Sequence, residues 1–419
     1  MSFPTSLVAL RFAVLCMAGL FTACQSNTNS GAAATTVGNE QALAPATLQN
    51  SAGTWYRCYR GTVGPDTVTL HLQTWPTGFE NRNQPTFFGC YSGADGQPHE
   101  LTPDFDAVSS SDSVLVRDHN PSLLNEEANG PLWRLKLNGN ELTGTRAAHP
   151  IRLREVQLPG SIALVSRYFT DSLAAFPKQP KSPHGRISLH TLLPANNSES
   201  ERKALMTGML RGLRGDTLDS QAAPASLEQY WQQQKSAFAK DYRADAADLA
   251  QDRPTEPDSS AAPSYDYMLR YEDQTVTHVF WNQDNLLSVG FFTYSYTGGA
   301  HGNYGTRATT FDMRTGKALR YADIFRPDAT VSLSNLLDQA VRRTLRQTAT
   351  TKLDEFLFVK KMPVSHNVYL TRSGAIFIYT PYEIASYAQG EIQVFVPLEQ
   401  LRPLLRPGLP WGGGEISQR

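Results

Sequence analysis

Between residues 51 and 158 the chain alternates between hydrophobic and polar positions with a period of two. Val68, Leu70 and Leu72 fall on one face of such a segment, because successive side chains of a β-strand point to opposite faces. Residues 132–137 (LWRLKL) alternate in the same way, and the Asn-Gly pair that follows is typical of a tight turn between strands. Several short strands with glycine-rich turns predict a small all-β domain here, a sandwich or a barrel.

From about residue 187 the pattern changes to a mixture of strands and helices. Three segments carry apolar residues at spacings of three, four and seven, which is the period of a helix that packs one face on a core. The three apolar stripes are Leu205, Met209, Leu210 and Leu213; Leu227, Tyr230, Trp231, Phe238 and Tyr242; and Leu333, Leu336, Leu337, Ala340 and Val341. Strands are predicted at 187–193, 275–281, 286–296, 307–313, 368–370, 375–379 and 392–396. Helices and strands mix without regular βαβ alternation, which favours α+β.

These segments give a domain organisation. The β-rich domain covers residues 51–158, and the prolines near both ends of residues 159–185 predict a linker. A module of helices and strands follows over residues 186–405, and residues 406–419 form a tail. The predicted fold class is α+β: an N-terminal all-β domain resembling a small sandwich or barrel, then a C-terminal module of antiparallel sheet with packed helices.

The first 23 residues have the layout of a secretory signal peptide. Arg11 precedes a short apolar run, which is too short to span a membrane as a permanent helix. Ala23 directly before Cys24 resembles the lipobox of bacterial lipoproteins, with Phe21 where leucine is usual. The expectation is cleavage before Cys24 and attachment of acyl chains such as palmitate, which would anchor the protein firmly because several chains are buried at once.

Residues 24–50 are rich in Ser, Thr, Asn, Ala and Gly. A tract of this composition cannot bury enough apolar surface to fold, so it predicts a flexible tether. Gln25 directly after the cysteine, rather than Asp, resembles the sorting signal of outer-membrane lipoproteins in bacteria with two membranes. The predicted location is therefore outside the cytoplasm, on the outer membrane and facing the periplasm.

The charge balance argues against a nucleic-acid partner. The chain has 38 basic and 39 acidic residues, a formal net charge of −1, and no long run of either sign. Such a balance gives no electrostatic reason to expect nucleic acid or an anionic surface as partner. No nucleic-acid partner is therefore predicted.

Two cysteines, Cys58 and Cys90, lie in the β-rich domain, each between aromatic residues of a predicted strand. In an exported chain a pair of this kind indicates a disulfide that would link two strands. The other interpretation is two buried free thiols.

Four sequence elements after residue 290 resemble a bacterial extracytoplasmic module known as domain of unknown function 3298. The elements are YSYTGGAHG at 294–302, TFDMRTGK at 310–317, YADIF at 321–325 and YEIASYAQG at 382–390, in which Ser386 stands where proline is usual. The resemblance implies two segments in the C-terminal half, one like domain 4163 at 186–300 and one like domain 3298 at 301–405.

The resemblance also implies a setting. This module occurs in the extracellular part of the anti-sigma factor RsiV, which senses lysozyme by binding it, and beside peptidoglycan deacetylase domains. It therefore implies recognition of an envelope ligand, either a lysozyme-like protein or peptidoglycan, without implying catalysis. The membrane helix and sigma-binding part of RsiV have no counterpart in this sequence, so signalling by that route is not expected.

The chemical candidates are few. The sequence contains no GxSxG, HExxH, CxxC or P-loop motif, so no catalytic residue, metal ligand or cofactor is predicted. His301 stands among glycines that let the backbone take positive φ and bring the imidazole close to a partner. It is either a ligand-binding or proton-handling histidine, or a residue of a hairpin turn that hydrogen-bonds within the fold.

The candidate binding residues around it are Tyr296, Gly298, Gly299, Tyr382, Glu383 and Tyr387. Glu383 and Tyr387 are four apart, so they share a face if the segment is helical and line a loop otherwise. Two functions follow. The first is a membrane-anchored, non-catalytic binding or sensing module for an envelope ligand. The alternative is a cell-wall-modifying hydrolase that uses His301 and Glu383 as an acid/base pair.

Overall fold

The computed structural model describes residues 54–75, 86–104, 112–119, 130–195, 200–215, 222–251, 268–409 and 411. The predicted signal peptide (1–23), the lipidation site Cys24 and the predicted tether (24–50) lie outside these residues. All described residues belong to one compact unit, Ala46–Arg419. Within the described ranges, no helix has the length and apolar character needed to cross a bilayer.

The N-terminal domain is a closed antiparallel barrel of eight strands in sequence order, in which β1 pairs with both β2 and β8. The strands are β1 (Tyr56–Val63), β2 (Asp66–Trp75), β3 (Thr86–Ser92), β4 (Pro98–Pro103), β5 (Ser113–Asp118), β6 (Leu132–Asn138), β7 (Glu141–Arg146) and β8 (His149–Glu155). Closure leaves no exposed strand edge. The predicted barrel-like β-domain is confirmed.

Side chains of alternate residues fill the barrel. Leu70 and Leu72 of β2, Trp133 and Leu135 of β6 and Leu153 of β8 lie in one buried cluster. The residues between them on β6 and β8 point outwards and are exposed. The period-two pattern therefore had the right physical cause in β6 and β8, because only one face of these strands meets a core. β2 and β3 are buried on both faces, because their outer faces pack on the rest of the protein.

The second layer is a six-stranded sheet in the order β14-β13-β12-β11-β10-β9, with two helices on one face. Its elements are β9 (Leu164–Ala174), β10 (His184–Pro194), α1 (Ser200–Arg214), α2 (Leu227–Gln251), β11 (Glu272–Gln283), β12 (Leu286–Tyr296), β13 (Asn303–Asp312) and β14 (Lys317–Leu319). The predicted antiparallel sheet is wrong at one place, since β10 and β11 run parallel. The connection between them passes through α1 and α2, and a crossover of this length permits parallel pairing.

The predicted linker at 159–185 contains a strand. β9 occupies Leu164–Ala174 and pairs along its whole length with β10. The prolines at 159, 177, 180 and 183 lie outside the strand at its two ends, where a residue without an N–H disturbs no ladder. They mark the ends of an edge strand rather than a separation between domains.

A three-stranded antiparallel sheet, β15-β16-β17, carries the C-terminal core with three more helices. The elements are α3 (Tyr321–Ile324), α4 (Thr330–Thr344), β15 (Val368–Thr371), β16 (Gly374–Tyr379), β17 (Ile392–Pro397) and α5 (Leu398–Leu401). The described part of the predicted tail belongs to this core. Leu409 and Trp411 are buried in it, and the Trp411 indole donates to the carbonyl of Thr371 at 2.6 Å. The fold as a whole is mixed α+β, with strands predominating.

Cys58 and Cys90 are free thiols in the structure, so the predicted disulfide between them is wrong. Cys58 on β1 lies opposite His71 on β2, and His71 lies opposite Cys90 on β3. A whole strand separates the cysteines, which places their Cα atoms about 10 Å apart, whereas a disulfide needs Cα atoms within about 7 Å. Burial raises the pKa of both thiols, which keeps them protonated and unreactive.

Three buried histidines lie in the layer between the barrel and the six-stranded sheet. His71 of β2 bonds through Nδ1 to the Tyr56 hydroxyl at 2.9 Å, and the ring centroid of His278 of β11 is 4.1 Å from that of Phe88. Burial lowers the pKa of His71 to about 4 and those of His190 and His278 to about 3. Each has one ring nitrogen that finds no hydrogen-bond partner among the described residues. The layer therefore accommodates these rings only in their uncharged form.

We predict that His278→Phe makes the protein less sensitive to acid. The pKa of His278 is about 3 in the folded protein, below the unfolded value of about 6.5, so the unfolded chain takes up the proton first. The stabilisation is complete above about pH 6.5 and declines as the pH falls towards 3. At about pH 5 the loss from this residue alone is about 2 kcal/mol.

Thermal unfolding at about pH 7 and pH 5 measures the effect. The wild type should lose more stability between the two pH values than His278→Phe. The exposed His184 provides the control, because His184→Phe should keep the wild-type pH dependence. If the wild type and His278→Phe lose the same stability between the two pH values, His278 is not the source of the acid sensitivity.

Candidate functional site

The loop between β12 and β13 carries the glycine-rich motif. Gly298 and Gly299 have φ values of +87° and +92°, which residues with a side chain rarely adopt. The Tyr296 hydroxyl donates to the carbonyl of Gly299 at 3.0 Å and closes the loop on its own strand. The loop therefore has a defined shape, and it presents His301 at the surface.

His301 is held by contacts on both ring nitrogens and on one ring face. Its Nδ1 lies 3.0 Å from the carbonyl of Gly302, and its Nε2 lies 3.3 Å from the Tyr382 hydroxyl. A carbonyl only accepts, so the proton belongs on Nδ1 and the Tyr382 hydroxyl donates to Nε2. The Tyr387 ring stacks on the imidazole, with centroids 3.9 Å apart and an interplanar angle of 22°.

Tyr387 fixes the other side of the loop. Its hydroxyl donates to the carbonyl of Gly302 at 2.7 Å, and the Tyr304 ring meets its ring edge-on at 5.5 Å. Burial, with a smaller contribution from Tyr382, raises the pKa of Tyr387. A Cβ at position 302 would lie 2.5 Å from the Tyr294 ring, so glycine is required where the loop returns to β13.

Tyr382 occupies a strained turn. Its φ is +71°, its N–H donates to the carbonyl of Ala385 at 3.1 Å, and its side chain is 55% exposed. A tyrosine with positive φ costs about 1 kcal/mol or more, and such strain often accompanies function. The Tyr382–Tyr387 segment forms a turn and a short 3₁₀ helix, not an α-helix. Tyr382 and Tyr387 nevertheless meet, with ring centroids 5.7 Å apart.

Glu383 supports this turn. Its Oε2 accepts from the backbone N–H of Thr380 at 3.0 Å and from the Thr380 hydroxyl at 3.4 Å. Among the described residues it makes no hydrogen bond to His301, whose nitrogens face Gly302 and Tyr382. The geometry therefore brings together His301, Tyr382 and Tyr387 but does not couple Glu383 to His301 as an acid/base pair.

Glu391 is a titratable residue near the site that the sequence analysis missed. The residue keeps part of its surface in solvent, yet its carboxyl is surrounded by protein. Burial, together with the nearby Glu100 of β4, raises the pKa of Glu391 to about 8, although the Thr306 N–H donates to it at 2.7 Å. At pH 7 the carboxyl is therefore largely neutral.

A signal for Glu391 was present in the period-two pattern of β17. Ile392, Val394 and Val396 face the core, so Glu391 and Gln393 fall on the opposite, polar face. Only the three-dimensional structure shows that the barrel's Glu100 approaches this face. Burial raises the pKa of Tyr304, whose ring contacts Tyr387, to about 12, with smaller contributions from Tyr387, Glu391 and Glu100.

We call His301, Tyr382 and Tyr387 the aromatic platform. Its members offer an exposed ring face and two tyrosine hydroxyls that donate within the site and can still accept, which suits stacking on a flat apolar surface with hydrogen bonds at its edge. No group of three or more metal-ligating side chains occurs in the described ranges.

Two protein families match parts of the chain. Residues 322–399 match the family described as "Protein of unknown function (DUF3298)", and residues 213–304 match the family described as "Deacetylase PdaC". His301 falls in the second match, whereas Tyr382 and Tyr387 fall in the first, so both matched regions contribute to the platform. The C-terminal part of the chain thus contains a DUF3298 domain, as the sequence motifs indicated. The domain 4163-like segment stays a prediction.

Two crystal structures are similar to the chain. A DUF3298 family member from Bacteroides fragilis is 20% identical with a TM-score of 0.50, and the alignment covers 60% of this chain and 96% of that one. A DUF3298 family protein from Pseudomonas aeruginosa is 18% identical with a TM-score of 0.40, and the alignment covers 59% and 97%. The first similarity supports a shared fold and nothing more. No curated protein shows significant similarity to the chain.

We predict that glycine is a better replacement for Tyr382 than alanine. Both substitutions remove the ring, but only glycine removes the Cβ that disfavours the φ of +71°. Tyr382→Gly should therefore be more stable than Tyr382→Ala by about 1 kcal/mol. Denaturant unfolding measures the difference.

Position 387 gives the matched comparison. Tyr387 begins a 3₁₀ helix with ordinary backbone geometry, so Tyr387→Ala should be more stable than Tyr387→Gly. If alanine is the more stable replacement at both positions, the turn at 382 is not strained.

Proposed function

We propose that the chain is a membrane-anchored envelope lipoprotein whose C-terminal module binds or senses an envelope ligand without catalysis. The observation that carries the proposal is the aromatic platform. An exposed tyrosine held at positive φ, in tilted ring contact with a histidine and a second tyrosine, is not required by the core. Rigid aromatic residues at a surface are typical of recognition sites.

The contacts of the platform support binding rather than hydrolysis. His301 has its Nδ1 against a carbonyl and its Nε2 against a hydroxyl, so its hydrogen-bonding capacity is already used. Glu383 caps the Thr380 turn and does not orient the imidazole. A hydrolase of the acid/base kind would require the two groups to act on one substrate atom or water, and no observation favours that alternative.

The choice of ligand follows from the platform's chemistry and from the sequence motifs. Sugar rings present flat apolar faces edged with hydroxyls, which an aromatic ring and an imidazole can contact together. A protein with an exposed loop could use the same rings. Peptidoglycan and a lysozyme-like protein are both candidates, and the motif resemblance to the lysozyme-sensing module supports an RsiV-like role in binding without its signalling parts.

Ligand retention tests the platform. We expect the wild type to be retained by insoluble peptidoglycan or by immobilised lysozyme, and Tyr382→Gly to bind about tenfold more weakly, since a stacked ring contributes about 1–1.5 kcal/mol. Tyr382→Gly is the informative variant because glycine suits the backbone at this position.

Val331 supplies the control, because its side chain is 66% exposed on α4 and lies outside the platform. Val331→Ala should bind as the wild type does. If neither ligand retains the wild type, or if Val331→Ala weakens retention as much as Tyr382→Gly, the platform is not a binding site for these ligands.

The anchor has a separate test. We expect cells fed labelled palmitate to label the wild-type protein in the membrane fraction, and we expect Cys24→Ser to abolish the label, because the acyl chains need the cysteine. Cys58→Ser is the matched control, since that cysteine lies in the barrel, and it should stay labelled. A wild-type protein recovered unlabelled in the cytoplasm would exclude the lipoprotein assignment.

A further inference from the structure

One side of the barrel carries a patch of basic side chains. Five of them lie on three strands: Arg60 on β1, Arg134 and Lys136 on β6, and Arg152 and Arg154 on β8. All five are exposed. We call this set the basic face.

The strand register explains why these side chains share one side. Lys136 lies opposite Thr143 of β7, Thr143 lies opposite Arg152, and Arg152 lies opposite Thr62 of β1. Residues in such a row point to the same side of the sheet. Arg154 lies directly opposite Arg60 in a neighbouring row, so the basic side chains form a two-dimensional array on the outer wall.

The charges of the basic face are largely uncompensated. Glu141 pairs with Arg154 at 2.8 Å, and both side chains are exposed. Within the described ranges, Arg60, Arg134, Lys136 and Arg152 make no ion pair. Arg60 and Arg154 are directly opposite like charges, an arrangement that destabilises an isolated sheet. An anionic partner would relieve that repulsion.

The side chains of the basic face are exposed although the barrel packs on the rest of the protein. The barrel contacts the six-stranded sheet through β2 and β3, where Gln73 donates to the carbonyl of Thr277 at 2.8 Å and Phe88 packs on His278. It also contacts this sheet through the start of β1, where the Tyr56 hydroxyl accepts from the Asn282 amide at 3.3 Å. Strands β6 and β7 lie across the closed barrel from β2 and β3, and β8 and β1 lie between these two sides. Because all five basic side chains are exposed, the basic face is available to a partner.

We propose that the basic face docks the barrel onto anionic phospholipid headgroups. Charge complementarity selects an anionic partner, and a membrane surface presents many anionic headgroups side by side to the several basic side chains on this wall. The choice of a membrane rests on the proposed lipid anchor at Cys24. About 30 residues separate Cys24 from the first described residue, Thr54, and a chain of that length reaches at most roughly 100 Å. The anchor would thus hold the barrel within reach of the headgroups.

A chain that starts at Gln25 tests docking without the anchor, since it retains the whole compact unit Ala46–Arg419. Sedimentation with phosphatidylcholine vesicles, with and without phosphatidylglycerol, measures its partition. We expect binding only to the anionic vesicles, and loss of that binding at high salt. Each basic residue at a membrane surface contributes roughly fivefold to the partition coefficient. Neutralising Arg60, Arg134, Lys136 and Arg152 together to Gln should therefore lower it by well over tenfold.

The matched control neutralises four exposed lysines elsewhere, Lys203, Lys317, Lys360 and Lys361, with the same change in net charge. A second variant converts Arg60, Arg134 and Arg152 to Lys, which keeps the charge, and it should bind as the wild type does. The proposal is overturned if the control set lowers the partition coefficient as much as neutralising the basic face does. It is also overturned if the wild type shows no preference for anionic vesicles. Binding to a soluble anionic polysaccharide but not to vesicles also overturns it. The vesicle experiment uses a chain without Cys24 and the palmitate experiment uses the full chain, so failure of docking and failure of the anchor can be told apart.

Discussion

The contact between the barrel and the six-stranded sheet is the constraint on which the rest of the structure depends. Gln73 of the barrel donates to the backbone of β11, and the Asn282 amide donates to the Tyr56 hydroxyl of β1 at 3.3 Å. The Asn282 side chain also exchanges hydrogen bonds with the backbone of Ile162. Because β11 pairs with β12, and β12 leads into the glycine-rich loop, the barrel helps to set the position of the site although it contributes no member of the aromatic platform.

This contact is polar and aromatic rather than purely aliphatic. Its histidines are neutral because burial disfavours their charged form, and they pack against aromatic rings such as Phe88 and Trp281. Across the same boundary Glu391 is held neutral by burial and by Glu100 of the barrel. The two effects have opposite slopes with pH: the histidines lose stabilisation as the pH falls below about 6.5, and Glu391 loses it as the pH rises from about 4.3 towards 8. Because three histidines outweigh one carboxyl below about pH 6.5 and only the carboxyl titrates above it, the stabilisation from these groups is greatest near pH 6.5.

The aromatic platform shows how much of a site local sequence can indicate. Adjacent glycines predicted the positive φ values of the loop, and the motif singled out His301, Tyr382 and Tyr387. Local sequence could not predict the partners of each residue. His301 and Tyr382 are 81 positions apart and meet only when β13 and the 380–390 segment come together. The same limit hid Glu391, whose environment includes a carboxyl from the barrel.

The sequence by itself determined which residues of each strand and helix face a core, because hydrophobic burial acts on the local period of the backbone. It therefore determined strands such as β2 and β6, the helical stripes and the outward direction of residues such as Arg134. The tertiary structure alone decided which strands are neighbours. Long-range pairing placed a whole strand between Cys58 and Cys90, made β9 part of a sheet, and collected basic side chains on one wall of a chain whose net charge is only −1. The physical reason is that strand neighbours are chosen by packing between distant segments, which no local period records.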